Sequence, residues 1–447
     1  MADVDVVVIG GGLAGLTAAR SLITRDRSVL VLEARDRVGG RLESVRMREA
    51  DAVLDLGGQY VGPTQHEIMS LLDELGVRTE TTRDTGDHVV HLGSRLLRYA
   101  AEPKLSLLTM LDLGRTVRLI DSTARRIPPH APWSAPSAAK LDAQTFAEWL
   151  RRKGFTPRGR ALLAAVTRAI FAAEPSEVSA LWALFYVASG GGFDPLTATT
   201  GGAQQDWIVG GAQQVAERLA ARLPVRLGTP ATAIDWSEHG VEVAAGGMTV
   251  RARRAVLAVP PPLAGRLMYR PALPPDRAHL TQRMPMGSVI KVHVVYERPF
   301  WREAGLSGQA AGDSLPVGMV FDNCQEPDGP GVLVGFVDGA HAAEASRLDP
   351  ERRRAMVIRC LATYFGAQAE HPIGYVERDW STEPFSAGCY GAFGVPGTLT
   401  RYGKALRDPV GPLHFAGTET ATRWAGYMDG AIQSGRRAAD EVDLALR

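Results

Sequence analysis

The feature that most constrains this chain lies at its start. Val4-Asp5-Val6-Val7-Val8-Ile9 is rich in β-branched residues and reads as a buried parallel strand, and Gly10-x-Gly12-x-x-Gly15 follows without a break. A helix is predicted from about Leu13 to Leu22. Residues 28–33 read as a second strand, ending on Glu33, 18 residues beyond Gly15. Strand, glycine turn, helix and strand form a βαβ unit with the spacing of a dinucleotide fingerprint. The glycines permit a tight turn and let a pyrophosphate approach the free N–H groups where Leu13 and Ala14 open the helix. Glu33 is placed to accept hydrogen bonds from an adenosine ribose. Without that context the same glycines would be only a turn in an α/β protein.

NAD and FAD share this fingerprint, so the following segment has to discriminate. Ala34, Arg35, Gly39, Gly40 and Arg41 come just past the ribose carboxylate, and Asp55-Leu56-Gly57-Gly58-Gln59-Tyr60 follows. A long ligand needs more such points of close backbone approach than a nicotinamide dinucleotide does. Arg41 would neutralise pyrophosphate charge. Arg37 reads as part of a solvated loop.

Further along, strands and helices interleave, which indicates an α/β or mixed architecture. Residues 65–126 look helical with short strands near Val89 and Leu97, 127–138 form a proline-stiffened connector, and 142–189 are helical with breaks near 154–157 and Pro175. A helix is expected over 212–222, β segments over 225–259 and 288–296, and two strands over 317–337 around a turn at 327–331. The last helix starts near Tyr427. A net charge of +1 advertises no nucleic-acid partner, and three cysteines support neither a disulfide framework nor a multi-cysteine metal site. No apolar run is long enough for a membrane helix, and glycines break the one stretch, Val4 to Leu16, that imitates a signal sequence. A cytoplasmic protein without a membrane anchor, a nucleic-acid partner or a bound metal is expected.

Only five lysines occur, at 104, 140, 153, 291 and 404, and Lys291 stands in the middle of an apolar strand. It is either an edge-strand lysine snorkelling to water or a buried ammonium kept for function. Cys324 and Cys360 read as small core hydrophobes. Cys389, between Gly388 and Tyr390, is also a lone cysteine.

The chain resembles the flavin monoamine oxidases. The matching stretches are residues 8–16, 32–41, 55–65, 177–182 (Glu-Val-Ser-Ala-Leu-Trp), 287–291 (Gly-Ser-Val-Ile-Lys), 388–390 (Gly-Cys-Tyr) and 414–431, which holds Gly-Thr-Glu and Gly-Tyr-Met-Asp-Gly. They span nearly the whole chain in order. The hydrophobic C-terminal tail of mitochondrial members is missing, which implies the soluble bacterial type. The resemblance implies an α/β fold: a Rossmann-like, glutathione-reductase-type FAD domain built from 1–78, 206–280 and 384–447, and a mixed-sheet and helical substrate domain from 79–205 and 281–383. It implies oxidative deamination of a primary monoamine, with oxygen reduced to hydrogen peroxide.

By the same resemblance Lys291 would hold a water beside flavin N5, and Cys389 would carry the flavin as an 8α-S-cysteinyl link, although its neighbours Ala387 and Gly391 depart from the pattern. Tyr390 and Tyr427 would form an aromatic cage for the amine. Gly417, Thr418, Glu419 and the Met428 backbone would lie at the flavin end, and Ala231 would contact adenine. The substrate pocket would be lined by Ala169, Ile170, Leu196, Thr197, Gln204, Met319 and Phe336, with Tyr60 near the flavin. Thr197 and Met319 stand at the gate, where the mammalian members carry a branched aliphatic and an aromatic residue. No carboxylate falls at these positions to bind a second ammonium, though Asp194 and Asp206 are near in sequence. No side-chain base is evident. Family members often dimerise, so the resemblance leaves a homodimer open, and nothing in the sequence demonstrates one. Two other readings stand beside this one: an L-amino-acid oxidase or biosynthetic flavin desaturase, for which Arg95 or Arg98 would supply the carboxylate-binding arginine, and a non-catalytic FAD-binding scaffold.

Overall fold

In the computed structural model, which describes residues 2–100, 105–326 and 329–447, the first strand forms as Val4–Ile9 and is central to an eight-stranded sheet. It pairs in parallel with Val29–Leu32 on one side and Met248–Leu257 on the other, so that Val8 lies opposite both Val31 and Val256. Val6, Val7 and Val8 are fully buried, as a strand covered on both faces must be. Val225–Arg226 extends one edge. Gly240–Ala245, Ala231–Ser237 and Met268–Arg270 extend the other, and Leu413–Phe415 runs alongside Met248–Leu257.

The helices Leu13–Ile23 and Met428–Leu446 pack together over this sheet. Their approach depends on missing side chains. A Cβ on Gly15 would lie 2.0 Å from the Gly10 carbonyl oxygen, and one on Gly435 would lie 2.3 Å from that of Ala14.

A seven-stranded sheet follows the order Gly374–Asp379, Val289–Tyr296, Gly331–Asp338, Val317–Asp322, Leu306–Gly312, Asp87–Leu92, Arg95–Tyr99. The region near Val89 and Leu97 is therefore a full hairpin, and the helical pattern around it resolves into His66–Leu75 and Leu107–Ala124. Val289–Tyr296 has a partner on each side and is buried along its length. Its two faces alternate, as the period of a strand requires. Ile290, Val292, Val294 and Tyr296 join a core with Val357 and Leu361 of the helix Pro350–Phe365, while Val289 packs with Phe336 and Cys389. Lys291 is thus no edge-strand lysine: its ammonium has no route along an exposed edge to water.

Helices Leu107–Ala124, Phe146–Lys153, Pro157–Phe171 and Ala180–Ser189 share a third core. Their ends are set locally. Thr145 and Glu148 form a capping box, Thr156 caps a helix that opens on Pro157, and Ser179 caps a helix buried on all sides. The 127–138 connector contains only a short turn, Pro132–Ser134, before Ala138 starts a helix. Residues 327 and 328 of the expected turn at 327–331 lie outside the described residues. Among the described residues no helix is long and apolar enough to cross a membrane.

Candidate active site

A cavity of about 790 Å³ runs from the glycine turn to the mixed sheet. At its nucleotide end Glu33 is 3% exposed, and its carboxylate accepts hydrogen bonds from the N–H groups of Gly11 at 2.7 Å and Arg35 at 2.9 Å. These bonds fix the carboxylate at the end of its strand with lone pairs to spare. No side chain caps the helix that begins at Leu13. Gly12, Leu13, Ala14, Ala34, Gly40 and Ala231 also line this end.

The turn tests whether a dinucleotide fits. Packing demands Gly15, which does not line the cavity, and Gly10, where a Cβ would meet the Ala258 carbonyl oxygen at 2.8 Å. Gly12 is different: a Cβ there would touch no protein atom closer than 3.9 Å. The protein leaves open the space that a diphosphate needs at a helix N-terminus, and the residues fit the group.

Of the three arginines Arg37 departs from expectation, while Arg35 and Arg41 line the cavity and also have protein partners. Arg41 lines the cavity, but its Nη1 donates to Glu419 at 2.7 Å and to the Tyr390 carbonyl at 2.8 Å, so its charge is already matched. Glu419 is 2% exposed and does not itself line the cavity. Burial alone would raise its pKa, yet Arg41 and the Ala392 N–H bring it below the ordinary carboxylate range. Arg35 binds Glu383 and donates to Ser386 at 2.8 Å. Arg37 is not solvated: it is part-buried, donating to the Leu42 carbonyl at 2.7 Å and to Glu43.

The Thr418-Glu419 pair has a positional role that the sequence hid. Thr418 donates to the carbonyl of Tyr427 at 2.8 Å, and Glu419 holds the Tyr390 carbonyl through Arg41. One short segment therefore ties down both aromatic residues. Tyr390 packs edge-on to Phe336 with ring centroids 6.3 Å apart, and Tyr427 contacts Trp424 at 4.9 Å and Tyr186 at 5.9 Å. Tyr390, Tyr427, Phe336 and Tyr186 all line the cavity. The sequence reading missed Tyr186; its helix is so uniformly apolar that periodicity assigns it only to the core.

Lys291 lines the same space and is 3% exposed. Its Nζ donates to the Gly57 carbonyl at 2.8 Å and to Gln59, which leaves a third N–H without an acceptor among the described residues. Gln59 in turn donates to Asn323 at 2.8 Å, and Asn323 donates to Nδ1 of His293 at 3.5 Å. His293 donates from Nε2 to the Asp55 carbonyl at 2.8 Å. Burial pushes the Lys291 ammonium well below its ordinary value, with the buried Asp55 acting against that shift. Gly58 and Tyr60 line the cavity beside this network, and the Tyr60 hydroxyl is buried with no hydrogen-bond partner among the described residues. Cys389 is buried against Val289 and Phe336, and burial pushes its thiol up to about 12.

All seven expected pocket residues, Ala169, Ile170, Leu196, Thr197, Gln204, Met319 and Phe336, line the cavity, as do Gly417, Thr418 and Met428. Asp194 and Asp206 do not: Asp194 is exposed and Asp206 accepts from Thr81 at 2.9 Å. Arg95 and Arg98 are also elsewhere, with Arg98 donating to the Ala304 carbonyl. None of the seven positions carries a carboxylate, but other positions of the cavity wall do. Asp338 and Asp313 line the cavity, together with Arg168, which pairs with Glu174 at 3.4 Å. Asp338 was within reach of sequence reasoning, because it stands two residues past Phe336 on the same strand face. Among the described residues no cluster of metal-binding side chains occurs.

A nucleotide cleft that opens into an aromatic, mostly apolar slot is the arrangement of oxidoreductases that set a dinucleotide against a small substrate. The comparisons narrow that class. The family model for flavin-containing amine oxidoreductases matches residues 13–443. Pig amine oxidase [flavin-containing] B is 40% identical over 447 residues, covering 98% of this chain and 86% of the pig protein. A solved putrescine oxidase bound to putrescine superposes with a TM-score of 0.95 at 37% identity, and cyclohexylamine oxidase from Brevibacterium oxydans does so at 0.95 and 34%; each match covers 99% of both chains. This chain belongs to the flavin-containing amine oxidoreductase family. It is an FAD-dependent amine oxidase and deaminates amines oxidatively.

Proposed function

We propose that the enzyme oxidises a primary monoamine to its imine, which hydrolyses to the aldehyde, with oxygen reduced to hydrogen peroxide and with FAD tethered through Cys389. The observation that carries this reading is the placement of Tyr390, Tyr427 and Lys291 around one end of a cavity whose other end holds Glu33 and the uncapped helix. When bound there, FAD supplies the two-electron acceptor that no side chain provides. Glu33 is available to the ribose hydroxyls, and the helix that opens at Leu13 to the diphosphate. Gly57, Gly58 and Met428, which line the same cavity, would hold the ring system of FAD through backbone groups.

The chain's own groups prepare the amine. Thr197 and Met319 shape the passage to the slot, and Met319 adapts to differently shaped substrates. Tyr390 and Tyr427 present π-faces that orient the nitrogen. The apolar walls from Ala169, Ile170, Leu196 and Phe336 exclude water and favour the neutral amine, the form that can be oxidised. Gln204 is held by the Leu196 carbonyl at 3.4 Å and offers this wall a polar contact. Lys291, kept in place by Gly57 and Gln59, holds a water near the reacting end. For the tether, Cys389 must lose its proton; Arg41 and Lys291 favour the thiolate against the cost of burial.

We also assign 1–78, 206–280 and 384–447 to an FAD domain and 79–205 and 281–383 to a substrate domain. The division is supported by the strands: the eight-stranded sheet draws only on the first set and the seven-stranded sheet only on the second.

A peroxide-coupled screen of aryl, aliphatic and diamine substrates, with the mass of the denatured chain measured alongside, tests the proposal. Peroxide with monoamines and a chain heavier by one FAD are expected. No peroxide with any amine would overturn the activity, and flavin released from the denatured wild type would overturn the tether.

A further inference from the structure

Alkylamines reach an enzyme near neutral pH as ammonium ions, with a pKa near the ~10.4 of a lysine side chain, yet an ammonium has no lone pair on nitrogen to support oxidation. The cavity therefore needs somewhere to put a proton. Among the described residues its aromatic slot contains one buried carboxylate, that of Asp338.

Asp338 ends the strand Gly331–Asp338, lines the cavity and is 5% exposed. Its Oδ1 accepts from the Tyr390 hydroxyl at 3.4 Å. No protein donor among the described residues reaches its other oxygen. Phe336, two positions back on the same strand face, packs against the Tyr390 ring, so the carboxylate stands at the hydroxyl end of the residue expected to orient the amine.

The charged and titratable groups around it come from three elements. Tyr390 lies in the loop after Cys389. Arg168, on the helix Pro157–Phe171, pairs with Glu174 at 3.4 Å and donates to the Asp313 carbonyl at 3.3 Å rather than to Asp338. His341, on the helix Ala340–Ala345, also lines the cavity, and burial and Arg168 hold it below its ordinary pKa.

We propose that Asp338 accepts the proton of the incoming alkylammonium and so delivers neutral amine to the slot between Tyr390 and Tyr427. One N–H bond of the ammonium breaks, one O–H bond forms on Asp338, and no electrons are transferred. The proton leaves for solvent as product departs. Burial lifts the Asp338 carboxyl to about 8, against the pull of Tyr390 and Arg168, and so moves it toward the basicity of the amine it must deprotonate. The inference rests on the amine-oxidase reading of this cavity.

The test compares wild-type holoenzyme with D338N on two amines of similar shape, one strongly and one weakly basic, by peroxide release between about pH 6 and 10. At pH 8 the variant should lose about a hundredfold in kcat/KM on the strongly basic amine, because only about one molecule in a hundred or fewer is neutral there. The weakly basic amine should change by less than about threefold, since it arrives neutral. The wild-type profile should level off once Asp338 is ionised, whereas that of D338N should keep rising to the pKa of the amine. The ratio between the two amines is taken on the same protein, so a partly folded variant does not disturb it. Equal loss on both amines would overturn the proposal. So would a loss confined to diamines, which would make Asp338 a site for a distal ammonium. A wild type that oxidises neither amine would instead overturn the reading of function.

Discussion

Lys291 stands in an apolar strand, a context that fits either an edge lysine or a buried ammonium, and the pairing of that strand on both sides leaves only the second. A buried ammonium with two fixed acceptors and no third among the described residues is costly to keep, which argues for use at the reacting end. Replacing Lys291 with Met is expected to lower the second-order rate with oxygen by tenfold or more, on the order of 1–2 kcal/mol of barrier, while reduction of the enzyme by amine changes only a few-fold. Stopped-flow measurement of the two half-reactions checks this, and an unchanged oxygen rate would remove Lys291 from that role. Gln59, Asn323 and His293, which hold the lysine, were not legible as a network. They come from separate strands and loops, and their meeting depends on sheet register.

At the scale of elements, the glycine turn separates two demands that look identical in sequence. Gly15 is needed by the protein, because its helix lies against the turn at Gly10. Gly12 faces open space. Gly15→Ala is therefore expected to destabilise the fold by several kcal/mol through overpacking. Gly12→Ala, whose backbone is extended at φ −80°, should unfold at nearly the wild-type temperature yet purify with little flavin. Thermal unfolding of the flavin-free proteins, together with flavin content, distinguishes the two. A Gly12→Ala protein that retains full flavin would show that the ligand does not use that space. The βαβ unit itself was legible because its signals are local: a β-branched run, a turn and a carboxylate at fixed spacing. The hairpin at Asp87–Tyr99 was only partly legible, since it gains its place by parallel pairing with the distant Leu306–Gly312.

For the whole molecule, the buried polar network links activity to acid stability. Burial, with the Lys291 charge adding to it, lowers His293 from 6.5 to about 3. Its Nε2 hydrogen is given to the Asp55 carbonyl, and a proton on Nδ1 would confront an Asn323 amide donor. The folded state holds His293 neutral, so its contribution to stability is complete above the unfolded value of 6.5 and is lost as pH falls from there toward 3. The slope is about 1.4 kcal/mol per pH unit for the one proton involved. His293→Gln should flatten the decline of unfolding free energy between about pH 6 and 4 by roughly that amount, as measured by denaturant titration. An unchanged slope would place the acid sensitivity elsewhere.

The sequence by itself determined the dinucleotide unit, the family and many of the residues that line the cavity, because each depends on short spacings that a motif preserves. Tertiary structure decided which of those residues are free to act. It committed Arg41 to Glu419, enclosed Lys291 between two strands, removed Asp194 and Asp206 from the pocket and brought Asp338 to the hydroxyl of Tyr390. These outcomes depend on which distant segments share a sheet and on the low dielectric of the space they enclose. Neither is written in local sequence, because a charge becomes costly or useful only once its surroundings are dry.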